Sequence, residues 1–270
     1  MASSMAVVGV GRLEAALRSG REAGRKLLVP YVTGGVVPSW LDVVEAVAEA
    51  GADAVEVGIP FSDPVMDGPT IQEASARALA AGATPEGLLD ELGRRRPGVP
   101  LVAMTYMNLA ERAGHRRFAA RLADAGVAGA ILPDLPLDEA GPWAEAAGEV
   151  GVETVLLAAP TTPDPRLRAI CEASRGFVYG VGIMGVTGER DRLATSAAHM
   201  ARRLKAITDK PVLIGVGVST PGQARELSAH ADGVVVGSAL VRILLEGGGP
   251  QEAAAFVGRM RAALDGRREA

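Results

Sequence analysis

Residues 53–72 read Asp53-Ala54-Val55-Glu56-Val57-Gly58-Ile59-Pro60-Phe61-Ser62-Asp63-Pro64-Val65-Met66-Asp67-Gly68-Pro69-Thr70-Ile71-Gln72. The run from Ala54 to Ile59 is apolar except for one carboxyl, Glu56, in its middle, and Pro60 ends it. Side chains alternate across a strand, so Ala54, Glu56 and Gly58 share one face while Val55, Val57 and Ile59 share the other. Glu56 therefore points where its strand neighbours are small, which leaves room beside it. A carboxyl in an apolar strand is costly to bury unless it has work to do. Two more acids, Asp63 and Asp67, follow on a proline-bounded, turn-rich loop. The pattern predicts an acid–base pair with one member rigid on a strand and the other on a loop.

Similar apolar runs recur at 27–33, 100–106, 129–135, 153–159, 177–182, 212–218 and 233–238. With 54–60 they make eight strands, and most are continuously apolar, as strands covered on both faces are. Amphipathic stretches at 39–49, 84–96, 111–125, 137–149, 164–173, 194–208, 221–229 and 250–264 read as the intervening helices. Helix starts stand at Pro38-Ser39, Thr84-Pro85-Glu86 and Thr220-Pro221, and Gly51, Gly126 and Gly151 are placed as helix C-caps. Eight β-then-α units in one chain predict an α/β fold, a single (β/α)8 TIM barrel across 1–270, with a doubly wound open sheet as the alternative. Extra helices are expected at the N-terminus (12–21), after strand 2 (70–81) and after strand 8 (239–245).

The composition narrows the function. The chain has 270 residues, 48% hydrophobic and 3% aromatic, with a net charge of −4. Its short basic runs, Arg94-Arg95-Arg96 and Arg116-Arg117, fall in helical stretches and read as solvated faces rather than a nucleic-acid footprint. A single cysteine, Cys171, excludes an intrachain disulfide and fits a reducing compartment. No signal peptide or membrane-spanning run is legible, so a cytoplasmic location is expected.

In barrels of this kind the functional groups stand at the C-terminal ends of the strands. Strand 7 ends Gly215-Val216-Gly217, and strand 8 ends Gly237-Ser238 before a short helix. Glycines that admit an oxyanion, together with a helix N-terminus aimed at it, predict a phosphate site there, and Gly188 could close it from strand 6. The three lysines, Lys26, Lys205 and Lys210, avoid the strands' C-terminal ends, which argues against a Schiff base. No His, Asp and Glu cluster has metal-ligand spacing, and neither a metal nor a cofactor is expected. What remains is metal-free acid–base chemistry by Glu56 and Asp67 on a small phosphorylated substrate. Asp63 reads as a turn residue, Asp134 as structural or catalytic, and Tyr106 and Tyr179 as wall aromatics or substrate contacts.

The segment from Glu56 to Gln72, with Pro133-Asp134-Leu135-Pro136, Gly185-Val186-Thr187-Gly188, Gly215-Val216-Gly217 and Gly237-Ser238 in order, resembles the tryptophan synthase alpha family over almost the whole chain. The resemblance implies reversible retro-aldol cleavage of indole-3-glycerol phosphate to indole and glyceraldehyde 3-phosphate. It gives Glu56 the proton transfers at indole C3 and the neighbouring hydroxyl, and Asp67 the indole nitrogen. It places Phe61, Ile71, Met104 and Tyr106 in the indole pocket and Tyr179 near the substrate. Gly188, Gly217, Gly237 and Ser238 would hold the phosphate. Thr187 would orient Asp67 from a lid spanning 183–192. It implies a pyridoxal-phosphate beta subunit as partner in an alpha2-beta2 tetramer, met by Pro60, Asp63 and Asn108. The alternative within the family is a free-standing lyase that needs no beta subunit. The chain departs from the family pattern at Gly180–Met184, at Met66 and at Phe177, positions that bear on the lid and partner side.

Overall fold

The apolar runs pair with one another in sequence order, each parallel to the next. In the computed structural model, which describes residues 9–95, 97–181, 190–215 and 217–266, the strands are β1 (Leu27–Thr33), β2 (Val55–Gly58), β3 (Leu101–Met104), β4 (Val127–Ile131), β5 (Glu153–Ala158), β6 (Val178–Val181), β7 (Val212–Gly215) and β8 (Gly233–Val236). Pairing of β8 with β1 closes the sheet into a barrel, and no open-sheet alternative remains. The helices are α1 (Arg12–Glu22), α2 (Trp40–Glu49), α3 (Pro69–Ala80), α4 (Pro85–Gly93), α5 (Met107–Ala113), α6 (His115–Asp124), α7 (Gly141–Glu149), α8 (Asp164–Ala173), α9 (Arg190–Lys205), α10 (Pro221–Ser228), α11 (Ser238–Leu245) and α12 (Pro250–Leu264). The fold is a (β/α)8 barrel, and α1, α3 and α11 are the extra helices expected from the sequence.

The two faces of each strand feed two separate cores. Val55, Val57 and Ile59 of the β2 segment join Leu28, Val32, Leu101, Ala103, Val234 and Val236 beneath the helices. Ala54 faces the barrel interior with Leu27, Val29, Val102, Val155, Phe177, Leu213 and Val235. The alternation read at residues 54–59 is the alternation of the wall.

The N-terminal end of the barrel is plugged by α1. Leu13 and Leu17 are fully buried among the interior residues. Leu13 fits because one position within β4 and one just before β6 are glycine: a Cβ on Gly129 or on Gly176 would come within 2.6 Å of its Cδ2. Glu153, at the start of β5, accepts hydrogen bonds from the backbone N–H of Leu13 at 2.6 Å and of Glu14 at 3.1 Å. A carboxylate there satisfies donors that have no partner within the helix and opposes its dipole. The lysines serve the same end. Lys205 Nζ lies 2.9 Å from both carboxylate oxygens of Asp232. Lys210 Nζ donates to the carbonyls of Cys171, Glu172 and Ser174, closing the last turn of α8.

Several boundaries differ from the sequence reading. The helix expected at 111–125 is two helices, α5 and α6, because Gly114 turns the chain with φ +82°. Strand 4 begins at Val127, two residues before the expected start, since Gly126 ends α6 in the left-handed conformation and extended chain follows at once. The stretch 137–149 is a single 3-10 turn, Leu137–Glu139, followed by α7 with Pro142 in its first turn. The helix of 84–96 stops at Gly93, and α9 runs from Arg190 to Lys205 rather than from 194 to 208. No helix among the described residues is long and apolar enough to cross a membrane.

Candidate active site

Glu56 stands inside the barrel on β2, in register with Tyr31 of β1 and Val102 of β3. It is 1% exposed, and its Oε2 has no hydrogen-bond partner among the described residues. Burial pushes the carboxyl up to about 8, and the charge of Asp67 adds to the shift. A group this buried stays protonated at neutral pH because charging it in an apolar wall is unfavourable. The room that the sequence leaves beside Glu56 is taken by a neighbour. A Cβ on Gly58 would fall 1.9 Å from Tyr31 Oη, so the glycine is the seat of that hydroxyl.

Asp67 reaches the same space from the loop after β2. Tyr106 donates to Asp67 Oδ2 at 3.0 Å and accepts from the Met66 N–H at 2.9 Å. Gln72, one turn into α3, donates to the Asp67 carbonyl at 2.9 Å. Phe61 stacks on Tyr106 with ring centroids 5.0 Å apart. The loop carboxyl is thus held by an aromatic pair and by the first turn of α3. Burial raises the Asp67 carboxyl, and the Tyr106 hydrogen bond works against that rise.

A cavity of about 460 Å³ opens at this mouth, a size that suits a small organic ligand. Glu56, Asp67, Ile71, Met104, Tyr179, Gly217, Gly237 and Ser238 all line it. On the far side, Tyr179 lies over β7, where a Cβ on Gly215 would fall 2.3 Å from its Oη. Ser238 is the first residue of α11, so the helix N-terminus faces the cavity beside Gly217 and Gly237. Phosphate oxygens are well received by such a terminus.

Phe61 and Tyr106, expected in the pocket wall, are not among the residues that line this cavity: Tyr106 holds Asp67, and Phe61 stacks on Tyr106. Thr187 and Gly188, with lid residues 183–189, lie outside the described residues. Of the three residues expected on the partner surface, Asp63 and Asn108 are exposed, whereas Pro60 is buried within the chain itself. Pro60 directly follows the buried Ile59, whose N–H still bonds to the Met104 carbonyl at 2.9 Å, so the chain has not yet left the wall. Asp134 accepts from the Met107 N–H at 2.8 Å and caps α5, which makes it structural. Tyr31, Leu157 and Val235 also line the cavity, although no site role is legible for them in the sequence. Tyr31 stands in a largely apolar run, and only the space left at Gly58, two residues beyond its register partner Glu56, shows where its hydroxyl goes.

Fold and site together define a (β/α)8-barrel protein with one buried and one half-buried carboxyl group and a helix N-terminus meeting at its mouth. Residues 17–264 match the family model described as tryptophan synthase alpha chain. The tryptophan synthase alpha chain of Halorhodospira halophila is 45% identical over 245 residues, covering 88% of this chain and 89% of that one. That of Streptomyces coelicolor is 42% identical, covering 92% and 93%. A structure of Mycobacterium tuberculosis tryptophan synthase superposes with a TM-score of 0.87 at 40% identity, covering 95% of this chain and 99% of that one. The alpha subunit from Legionella pneumophila gives 0.86 at 30% identity, covering 96% and 100%. The chain belongs to the tryptophan synthase alpha chain family and is an enzyme of tryptophan synthesis.

Proposed function

We propose that this chain cleaves indole-3-glycerol phosphate to indole and glyceraldehyde 3-phosphate by a retro-aldol reaction in the cavity at the barrel mouth. The observation that carries the reading is Glu56: a buried carboxyl with an unpartnered oxygen that lines the same cavity as a second carboxyl, Asp67. The reaction requires indole C3 to gain a proton and the hydroxyl on the adjoining carbon to lose one. Glu56 begins protonated and gives its proton to C3. The carboxylate so formed takes the hydroxyl proton as the carbon–carbon bond breaks and the aldehyde forms. The bonding pair returns to the indole ring, and Glu56 ends as it began. Asp67, on the loop and held by Tyr106, offers a negative charge to the ring N–H while the ring is electron-poor.

Ile71 and Met104 supply apolar wall for the indole, and Gly217, Gly237 and Ser238 with the N-terminus of α11 take the phosphate. Partnership with a pyridoxal-phosphate beta subunit belongs to the same reading. Its docking surface is the exposed loop after β2, where Asp63 is joined by Val65 and Met66, 79% and 54% exposed, together with Asn108 on α5. The test is indole and glyceraldehyde 3-phosphate release by the purified chain, alone and with a beta subunit. Slow release that the beta subunit accelerates supports the proposal. No release in either condition overturns it.

A further inference from the structure

The cavity holds a hydroxyl that the two-carboxyl scheme leaves unused. Tyr31 is 6% exposed, lines the cavity and sits on the strand next to Glu56, in direct register with it. Its ring leans toward the mouth, and its Oη occupies the place of a Cβ at Gly58. Gly58 is the next interior position after Glu56 on β2, so the hydroxyl stands on the mouth side of the carboxyl. Thr33 Oγ1 lies 3.3 Å from Tyr31 Oη, close enough to donate to it, and none of the hydrogen bonds among the described residues uses the Tyr31 proton. A hydroxyl that accepts from one neighbour donates more strongly to another.

We propose that Tyr31 donates its hydrogen bond to the substrate oxygen that becomes the aldehyde, holding it against Glu56 while the carbon–carbon bond breaks. The inference rests on the retro-aldol reading above. The step moves no atoms beyond those already described: Tyr31 keeps its proton throughout and only stabilises charge that develops on the oxygen. Burial keeps the phenol well above its ordinary range, which fits a donor that does not ionise.

The test compares wild type with Tyr31→Phe, in which the ring still fills the seat at Gly58. Loss of one donor to developing charge should lower kcat roughly 10²- to 10³-fold with KM changed far less. Thr33→Val, which removes the donor behind Tyr31, should lower kcat by a smaller factor. A binding arm separates positioning from packing. Indolepropanol phosphate lacks the reacting hydroxyl, so Tyr31→Phe should bind it as tightly as wild type does. Equal kcat in Tyr31→Phe and wild type overturns the inference. So does an equal loss of affinity for indolepropanol phosphate, because that reports a packing role. A wild-type chain that releases no indole defeats the underlying reading instead, and the two failures are distinguishable.

Discussion

Replacing Glu56 with Gln should stabilise this protein, and by an amount that depends on pH. In the unfolded chain the carboxyl titrates at its ordinary 4.5, whereas in the folded barrel burial holds it up to about 8. Between those values the unfolded state has released the proton and the folded state still binds it. Stability contributed by this group is therefore fully present below pH 4.5 and is lost as pH rises, at about 1.36 kcal/mol per unit. A window of about 3.5 units gives about 5 kcal/mol, complete once pH passes 8. The amide introduced by Glu56→Gln does not titrate, so the stability difference between variant and wild type should widen by that amount from pH 4.5 to above 8. The assay is urea unfolding of both proteins at half-unit steps from pH 4.5 to 9, with free energies extrapolated to water. An offset that stays constant across this range would refute the reasoning, since it would mean that the carboxyl is hydrated in the folded state.

Two further perturbations address the parts that hold the site in place. Leu13→Ala should cost about 2–5 kcal/mol, because the side chain is fully buried in a notch formed by two glycines; a loss below about 1 kcal/mol on urea unfolding would mean that α1 is not a structural plug. Tyr106→Phe removes the hydrogen bond that opposes the rise of the Asp67 carboxyl. In the proposed reaction Asp67 acts ionised, so the acid limb of kcat/KM should move to higher pH, and an unmoved limb in the pH–rate profile would contradict the role given to that contact.

The strands were legible because each is an apolar run of the right length, and their number made a closed barrel the natural reading. The strand-2 alternation was also legible, since period two assigns faces without knowledge of neighbours. What could not be read depends on residues that meet only across the barrel. Gly129 looked like the start of strand 4, whereas it lies inside the strand to make space for Leu13, more than a hundred positions away. Gly114 looked like one residue of an amphipathic helix, but its left-handed backbone divides two. Gly58 looked like open room beside Glu56, yet the register of β1 against β2 fills it with the Tyr31 hydroxyl. Glu56 stood out as a charge within an apolar strand, and Asp67 as an acid on the proline-bounded loop that follows it. Tyr106 and Phe61 stand behind Asp67, in a layer that sequence cannot separate from the wall itself.

The account stands most directly on Glu56 as the group that moves the proton. Single-turnover release of indole from indole-3-glycerol phosphate should be compared between wild type and Glu56→Gln at pH 7, with indolepropanol phosphate binding measured alongside. The account predicts a loss of roughly 10²-fold or more in rate with analogue binding retained. A Glu56→Gln chain that releases indole within twofold of the wild-type rate would contradict it.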